Sequence, residues 1–289
     1  GVPRAKDLPE KIGLNALTAG VLSGLATLPE MLHFLDDARG LRATYGLPIT
    51  TAVISDIPGQ SWGMVTALAR SDVRYFAIAP NNGDRVGYTL ETWGDRPFWW
   101  TSPSGRDSVL TWVAGASYSA FHMAPMRIQG ERVLFSLMRR LEAERYPYRH
   151  VQLPYTIFGD NGPNDDSLPD VVRGWNARYV SPRLIIATHG QMFRDFVAQY
   201  GGRLPAFGGD FTGYWEDGAA STAREVAMVR AASDRLVQAE ALWPLRHARE
   251  PFPALLADSA WRDVTLLDEH TSGAAATVQT PDAPNVIHQ

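Results

Sequence analysis

The run Ile49-Thr50-Thr51-Ala52-Val53-Ile54, followed at once by Ser55-Asp56-Ile57-Pro58-Gly59, constrains this chain more than any other stretch. A β-branched apolar run of this length, bounded by turn residues, reads as a buried strand. The ionisable Asp56 then falls at the strand's C-terminal end, and Pro58-Gly59 turns the chain sharply away. In α/β folds that end of a sheet is where ligands bind. Two roles are open for Asp56: a carboxylate held at the mouth of a sheet or barrel, or an N-cap for the helix that follows.

The chain around it alternates. A helix is expected from Leu28 to about Tyr45, with Thr27 as its N-cap. After the turn, Met64 to Ala69 reads as a helix and Arg74 to Ala79 as a strand, a strand–helix–strand unit that favours parallel pairing. Val109 to Val113, Val151 to Phe158 and Arg183 to Thr188 read as further strands. Helices are expected over Glu131 to Arg145, Leu168 to Tyr179 and Gln191 to Tyr200. Residues 81–107 are irregular in pattern. Their Trp93, Trp99 and Trp100 either wall a binding site or pin the loop to the body. Near residue 200 glycines and prolines interrupt the rhythm, and long helical patterns follow over Ser221 to Trp243 and Ser259 to Asp268.

Composition narrows the chemistry by exclusion. The formal net charge is -4 and no basic stripe is visible, so nucleic acid is not an expected partner. There are no cysteines, which removes disulfides, thiolate metal sites and cysteine nucleophiles. No apolar run approaches the ~18 residues of a membrane span. The GxxxxGK[ST], GxGxxG and HExxH patterns are all absent. What remains is a pair of acidic turns after strands, at Asp56 and at Asp160 in Gly159-Asp160-Asn161-Gly162-Pro163. Two carboxylates are what glycosidic cleavage needs, one at the anomeric carbon and one at the leaving oxygen. His270, taken alone, reads as an ordinary surface or capped histidine.

Several ordered landmarks resemble those of the family 38 glycoside hydrolases, the α-mannosidases. Ser55 to Gly63, with Tyr75 to Asn81 after it, is similar to the family's nucleophile segment. Gly159 to Pro163 resembles the loop of the general acid, and Ser181 to Thr188 the following barrel strand. Phe211 to Gly218 with Ser221 resembles the entry to a three-helix bundle, and Asp268-Glu269-His270-Thr271 the late motif whose histidine binds zinc. The resemblance implies an α/β fold: a seven-stranded β/α barrel of the glycoside hydrolase/deacetylase type over residues 1–200, then a linker and helical bundle over 201–289. It implies a retaining α-mannosidase with one zinc. Asp56 would be nucleophile and zinc ligand, Asp160 the acid/base, and His270 a zinc ligand. Trp62 and Tyr214 are candidate sugar-facing aromatics, with core packing the other reading of each.

The departures are specific. The family's remaining two zinc ligands lie in a His-x-Asp motif on the first barrel strand, and no His here is followed two residues later by Asp. The segment before Asp56 is too short for the barrel's first strands, so the barrel is expected to be incomplete. Open sheet edges of that kind aggregate or recruit a partner. Gln60 stands where the family commonly has His, and Thr271 where many members have Asp. Two alternatives follow: a carbohydrate-binding relative without turnover, and a metal-dependent carbohydrate deacetylase.

Overall fold

A computed structural model describes residues 12–81, 92–118, 125–157, 162–211, 213, 215–247, 249–270, 280 and 282–287. The expected first helix is two. Thr27 and Glu30 form a capping box at the start of α1 (Leu28–His33), and α2 (Asp36–Tyr45) begins anew beyond Leu35. The break has a packing cause. Phe34 and Leu35 both turn into the core, and the Phe34 carbonyl, leaving the helix, accepts the Thr18 N–H at 2.9 Å.

The strand ending at Asp56 forms as β1 (Thr51–Asp56). The chain crosses through α3 (Gly63–Arg70) to β2 (Tyr75–Pro80), which runs parallel to β1. The Trp-rich stretch contains β3 (Phe98–Thr101), which pairs antiparallel with β4 (Ser108–Val113). Together with β5 (Ala206–Phe207) these make a five-stranded sheet of order β1-β2-β4-β3-β5. Its tryptophans pin the sheet: Trp100 is fully buried, Trp93 packs on Phe98 and Phe207, and Trp99 Nε1 donates to the Gly201 carbonyl at 2.9 Å.

Period-two alternation sorts the strands between two apolar layers. Ala52, Ile54, Phe76, Ile78, Val109 and Val113 face α1 and α3. Ala77, Leu110 and Trp112 face Phe193 and Phe196 of a helix introduced below. The outer edge of β1 is met by residues 15 and 16: the Ala16 N–H donates to the Thr51 carbonyl at 2.9 Å. The Asn15 amide donates to the Val53 carbonyl at 2.9 Å and accepts its N–H at 2.8 Å, standing in for a neighbouring strand.

Beyond β4 come α4 (Met126–Ala143), α5 (Leu168–Arg178) and α6 (His189–Tyr200), the helix that carries Phe193 and Phe196. The strands expected between them carry no ladder. Residues 151–156 and 183–188 belong to no helix or strand, and polar groups of theirs meet side chains and the sheet. Gln152 Nε2 donates to the Trp112 carbonyl at 3.1 Å, and the Asn176 amide clamps both backbone groups of Leu184. Ile185 and Ile186 stay exposed, so this apolar β-branched run is not buried in the sheet. The C-terminal region is α7 (Ala223–Arg246) packed on α8 (Ala254–Leu267), as the helical pattern predicts. No helix among the described residues is long and apolar enough to cross a membrane.

One buried ion pair ties α4 to the end of β4. Asp95, with φ 55°, accepts Arg140 Nη2 at 2.7 Å and Trp112 Nε1 at 3.4 Å, while its own N–H donates to the Val113 carbonyl. Asp95 is only 2% exposed, so removing the guanidinium leaves a buried charge unpaired. Arg140→Ala is expected to cost roughly 3 kcal/mol in urea unfolding, whereas Arg139→Ala costs under about 0.5 kcal/mol.

Candidate active site

Asp56 closes β1 in the left-handed region, with φ 76°. Its carbonyl accepts the Asn81 N–H at 2.8 Å, extending the ladder with β2 by one step. Its side chain accepts Asn81 Nδ2 at 2.6 Å on Oδ1, so two strand ends meet at one carboxylate. The N-cap reading of Asp56 does not hold: α3 starts at Gly63, seven residues on, and has no side-chain cap.

His270 arrives from the far end of the chain. Val21 and Glu269 form an antiparallel bridge. Leu22 N–H donates to the Asp268 carbonyl at 2.7 Å, and His270 N–H donates to the Gly20 carbonyl at 2.9 Å. This pairing sets His270 Nε2 3.6 Å from Asp56 Oδ2, while Glu269 engages Nδ1. Trp215 lies over the imidazole with ring centroids 6.2 Å apart and planes 19° from parallel. Gly20 lies close beside the ring: a Cβ there would sit 3.2 Å from Nδ1, so the ring would have to give way by a few tenths of an ångström.

The charges reinforce one another. Partial burial works to raise the Asp56 pKa, but hydrogen bonds from His270, Asn81 and Tyr118, with the His270 charge, outweigh it and hold the carboxyl below its usual value. Hydrogen bonds to Asp56 and Glu269 lift His270 to about 9, against the opposing effect of burial. At neutral pH the arrangement is therefore an imidazolium between two carboxylates.

The donor set can be tested against zinc. Two donors on one tetrahedral zinc with bonds of ~2.0–2.1 Å lie roughly 3.4 Å apart, close to the 3.6 Å between Asp56 Oδ2 and His270 Nε2. Glu269 on Nδ1 is the kind of carboxylate that orients a metal-bound histidine. These residues fit two places of a coordination sphere. Among the described residues no group of three or more His, Asp or Glu side chains could hold a metal ion.

The other expected residues are distributed differently. Asp160 and Tyr214 lie outside the described residues. Trp62 is bound by its neighbours: its Nε1 donates to the Thr101 carbonyl at 2.6 Å, its N–H meets the Asp210 carboxylate, and its ring packs on the core. Gln60 is fully buried, pairs its backbone with Phe211 and accepts Ser23 Oγ at 3.0 Å, which makes it structural here. Asp165, near the acidic turn, accepts Tyr155 Oη at 2.5 Å, Ser167 Oγ at 2.6 Å and the Met126 N–H at 3.1 Å. Burial favours its protonation, yet these bonds keep its carboxyl below the usual value, so it anchors the start of α4 as an anion. Asn81, Glu269 and Trp215 are the residues that sequence reasoning left without a role. The signal for Asn81 was its place at the end of the neighbouring parallel strand.

No family model matches the sequence, and no curated protein matches it. Among solved structures, the chain is similar to an α-mannosidase from Enterococcus faecalis V583, with 12% identity and a TM-score of 0.62. It shares that protein's fold. The match covers 96% of this chain and 32% of the solved one.

Asp268, two residues before His270, is buried, and its Oδ2 has no partner among the described residues. Burial pushes its pKa up to about 7, with the Glu30 charge adding and Arg230 opposing. The unfolded chain loses this proton near the ordinary value of 3.8, so stability is full below that value and falls as pH rises towards 7. Asp268→Asn, which mimics the protonated acid, is expected to raise the melting temperature at pH 8 and leave it nearly unchanged at pH 4. Equal melting temperatures for both proteins at pH 8 would refute the assignment.

Proposed function

We propose that this chain carries the nucleophile half of a retaining α-mannosidase of the family 38 type, with zinc as its cofactor and an α-mannoside as its substrate. The observation that carries the reading is the convergence of Asp56 and His270, 3.6 Å apart, at the C-terminal end of a parallel strand. The fold shared with an α-mannosidase supports it. On this reading the sheet belongs to a barrel. In support, the Gly13 Cα region packs against Thr188, and that of Gly190 against Thr51, which brings the end of the 183–188 segment near β1.

In the proposed reaction Asp56 attacks the anomeric carbon and the C1–O bond to the aglycone breaks. The departing oxygen takes a proton from Asp160. Water, deprotonated by the same residue, then attacks C1 and frees Asp56. Asn81 and Tyr118 keep Asp56 ionised and aimed. Asp56 Oδ2 and His270 Nε2 would hold zinc, which supplies Lewis-acid affinity for neighbouring sugar hydroxyls. A second reading, sugar binding without turnover, is favoured by one observation: the described residues offer two donors and no third.

Two measurements decide between these. About one zinc per chain by elemental mass spectrometry, lost in both Asp56→Ala and His270→Ala, is the expected result. Hydrolysis of an aryl α-mannoside should be abolished by Asp56→Ala and by chelator. Zinc uptake must displace the proton that His270 holds up to about pH 9. Affinity should therefore fall about tenfold per pH unit below that value. Chelator-insensitive mannoside binding without turnover would establish the second reading instead.

A further inference from the structure

Side chains stitch together the C-terminal ends of three neighbouring strands. Asp56 ends β1 opposite Pro80, the last residue of β2. The β2–β4 register stops at Ile78 and Val113, and the chain leaving β4 turns at once, with the Ser117 N–H on the Ala114 carbonyl at 3.0 Å. Ser117 is buried and sits in the left-handed region, with φ 62°. Its hydroxyl donates to the Pro80 carbonyl, two residues past the last ladder pair of β2 with β4. A strained backbone conformation tied down by a buried hydrogen bond fixes where the next residue goes. That residue is Tyr118, whose hydroxyl hydrogen-bonds the Asp56 side chain.

The donors present set the direction of each bond. Asn81 Nδ2 donates to Asp56 Oδ1 at 2.6 Å and to Tyr118 Oη at 3.3 Å. Tyr118 Oη, accepting from Asn81, turns its own proton to the Asp56 carboxylate, which as an anion can only accept. Such a bond is strong to a carboxylate and weak to a neutral ester. In a retaining reaction Asp56 is an anion before the first step, an ester between the steps and an anion again after the second. The bond is therefore weakened as the ester forms. It is regained when water adds to C1, its proton passes to Asp160, and the electron pair of the breaking C1–O bond returns to Asp56. We propose that Tyr118, placed by Ser117, stabilises Asp56 as the leaving group of the second step and so speeds hydrolysis of the glycosyl-enzyme. The role rests on the retaining mannosidase reading above.

The test uses the full chain with zinc in the buffer. The probe is 2,4-dinitrophenyl α-D-mannopyranoside, whose activated aglycone makes the first step fast. In stopped flow, Tyr118→Phe should release about one equivalent of dinitrophenolate per chain in a burst, no slower than the first step of wild type. The steady state that follows should be about tenfold or more slower than wild type, the usual effect of losing a charge-assisted hydrogen bond. KM should fall together with kcat, because the ester accumulates, and mass spectrometry of the quenched chain should show the mannosyl adduct. Ser117→Gly keeps a backbone able to hold φ 62° and removes the hydroxyl. It should act in the same direction as Tyr118→Phe, and added to Tyr118→Phe it should slow the steady state no further. That pattern separates help to the departing carboxylate from a structural role, which would slow both steps alike. Unchanged steady-state kinetics in Tyr118→Phe, equal slowing of both steps, or a further loss from Ser117→Gly in the Tyr118→Phe background overturns the proposal. A wild-type chain that hydrolyses no aryl α-mannoside overturns the mannosidase reading itself, and this role with it.

Discussion

The antiparallel bridge between Val21 and Glu269 is the interaction on which the candidate site depends. It joins residues nearly the whole chain apart, and closing so long a loop costs conformational entropy before any local contact repays it. The return comes from a dry seam. Val21 and Leu22 are buried, the Leu22 N–H and the Gly20 carbonyl both find backbone partners, and Trp261 of α8 stacks on His33 of α1 at 4.0 Å. Asp56 comes from the sheet and His270 from the end of a helix. Only this seam makes them neighbours.

Much of the sheet was readable because its strands are locally self-consistent. Ile49 to Ile54, Tyr75 to Ala79 and Val109 to Val113 are apolar on both faces, and both faces are covered, so pattern and environment agree. Arg183 to Thr188 has the same kind of pattern, yet Ile185 and Ile186 face outwards. Strand propensity states that a segment tolerates pairing, whereas a ladder also needs an edge, and the edge is a property of the rest of the chain. The helices were more legible, since their hydrogen bonds are internal. Even so, the break at Phe34 was invisible to periodicity, because it serves Thr18 on a different segment.

The site divides along the same line. Asp56 stands out from its position after a buried strand. His270 has no such local signature, and only a resemblance to a family pointed to it. Glycines carried a quieter signal. Gly20, Gly24 and Gly213 interrupt segments where no turn type demands them. In the structure the His270 ring lies close to Gly20, and the end of the Glu216 side chain close to the other two. Gln60, which stands where the family commonly has His, is a buried link between the turn after β1 and Phe211.

The backbone of Asp56 carries a cost that its side chain offsets. A non-glycine residue at φ 76° costs about 1 kcal/mol that glycine would not. In that conformation the carboxylate meets Asn81 Nδ2 and His270, and both contacts favour the folded chain. Backbone strain and side-chain pairing are thus held at one residue, so a single substitution there relieves the first only by giving up the second.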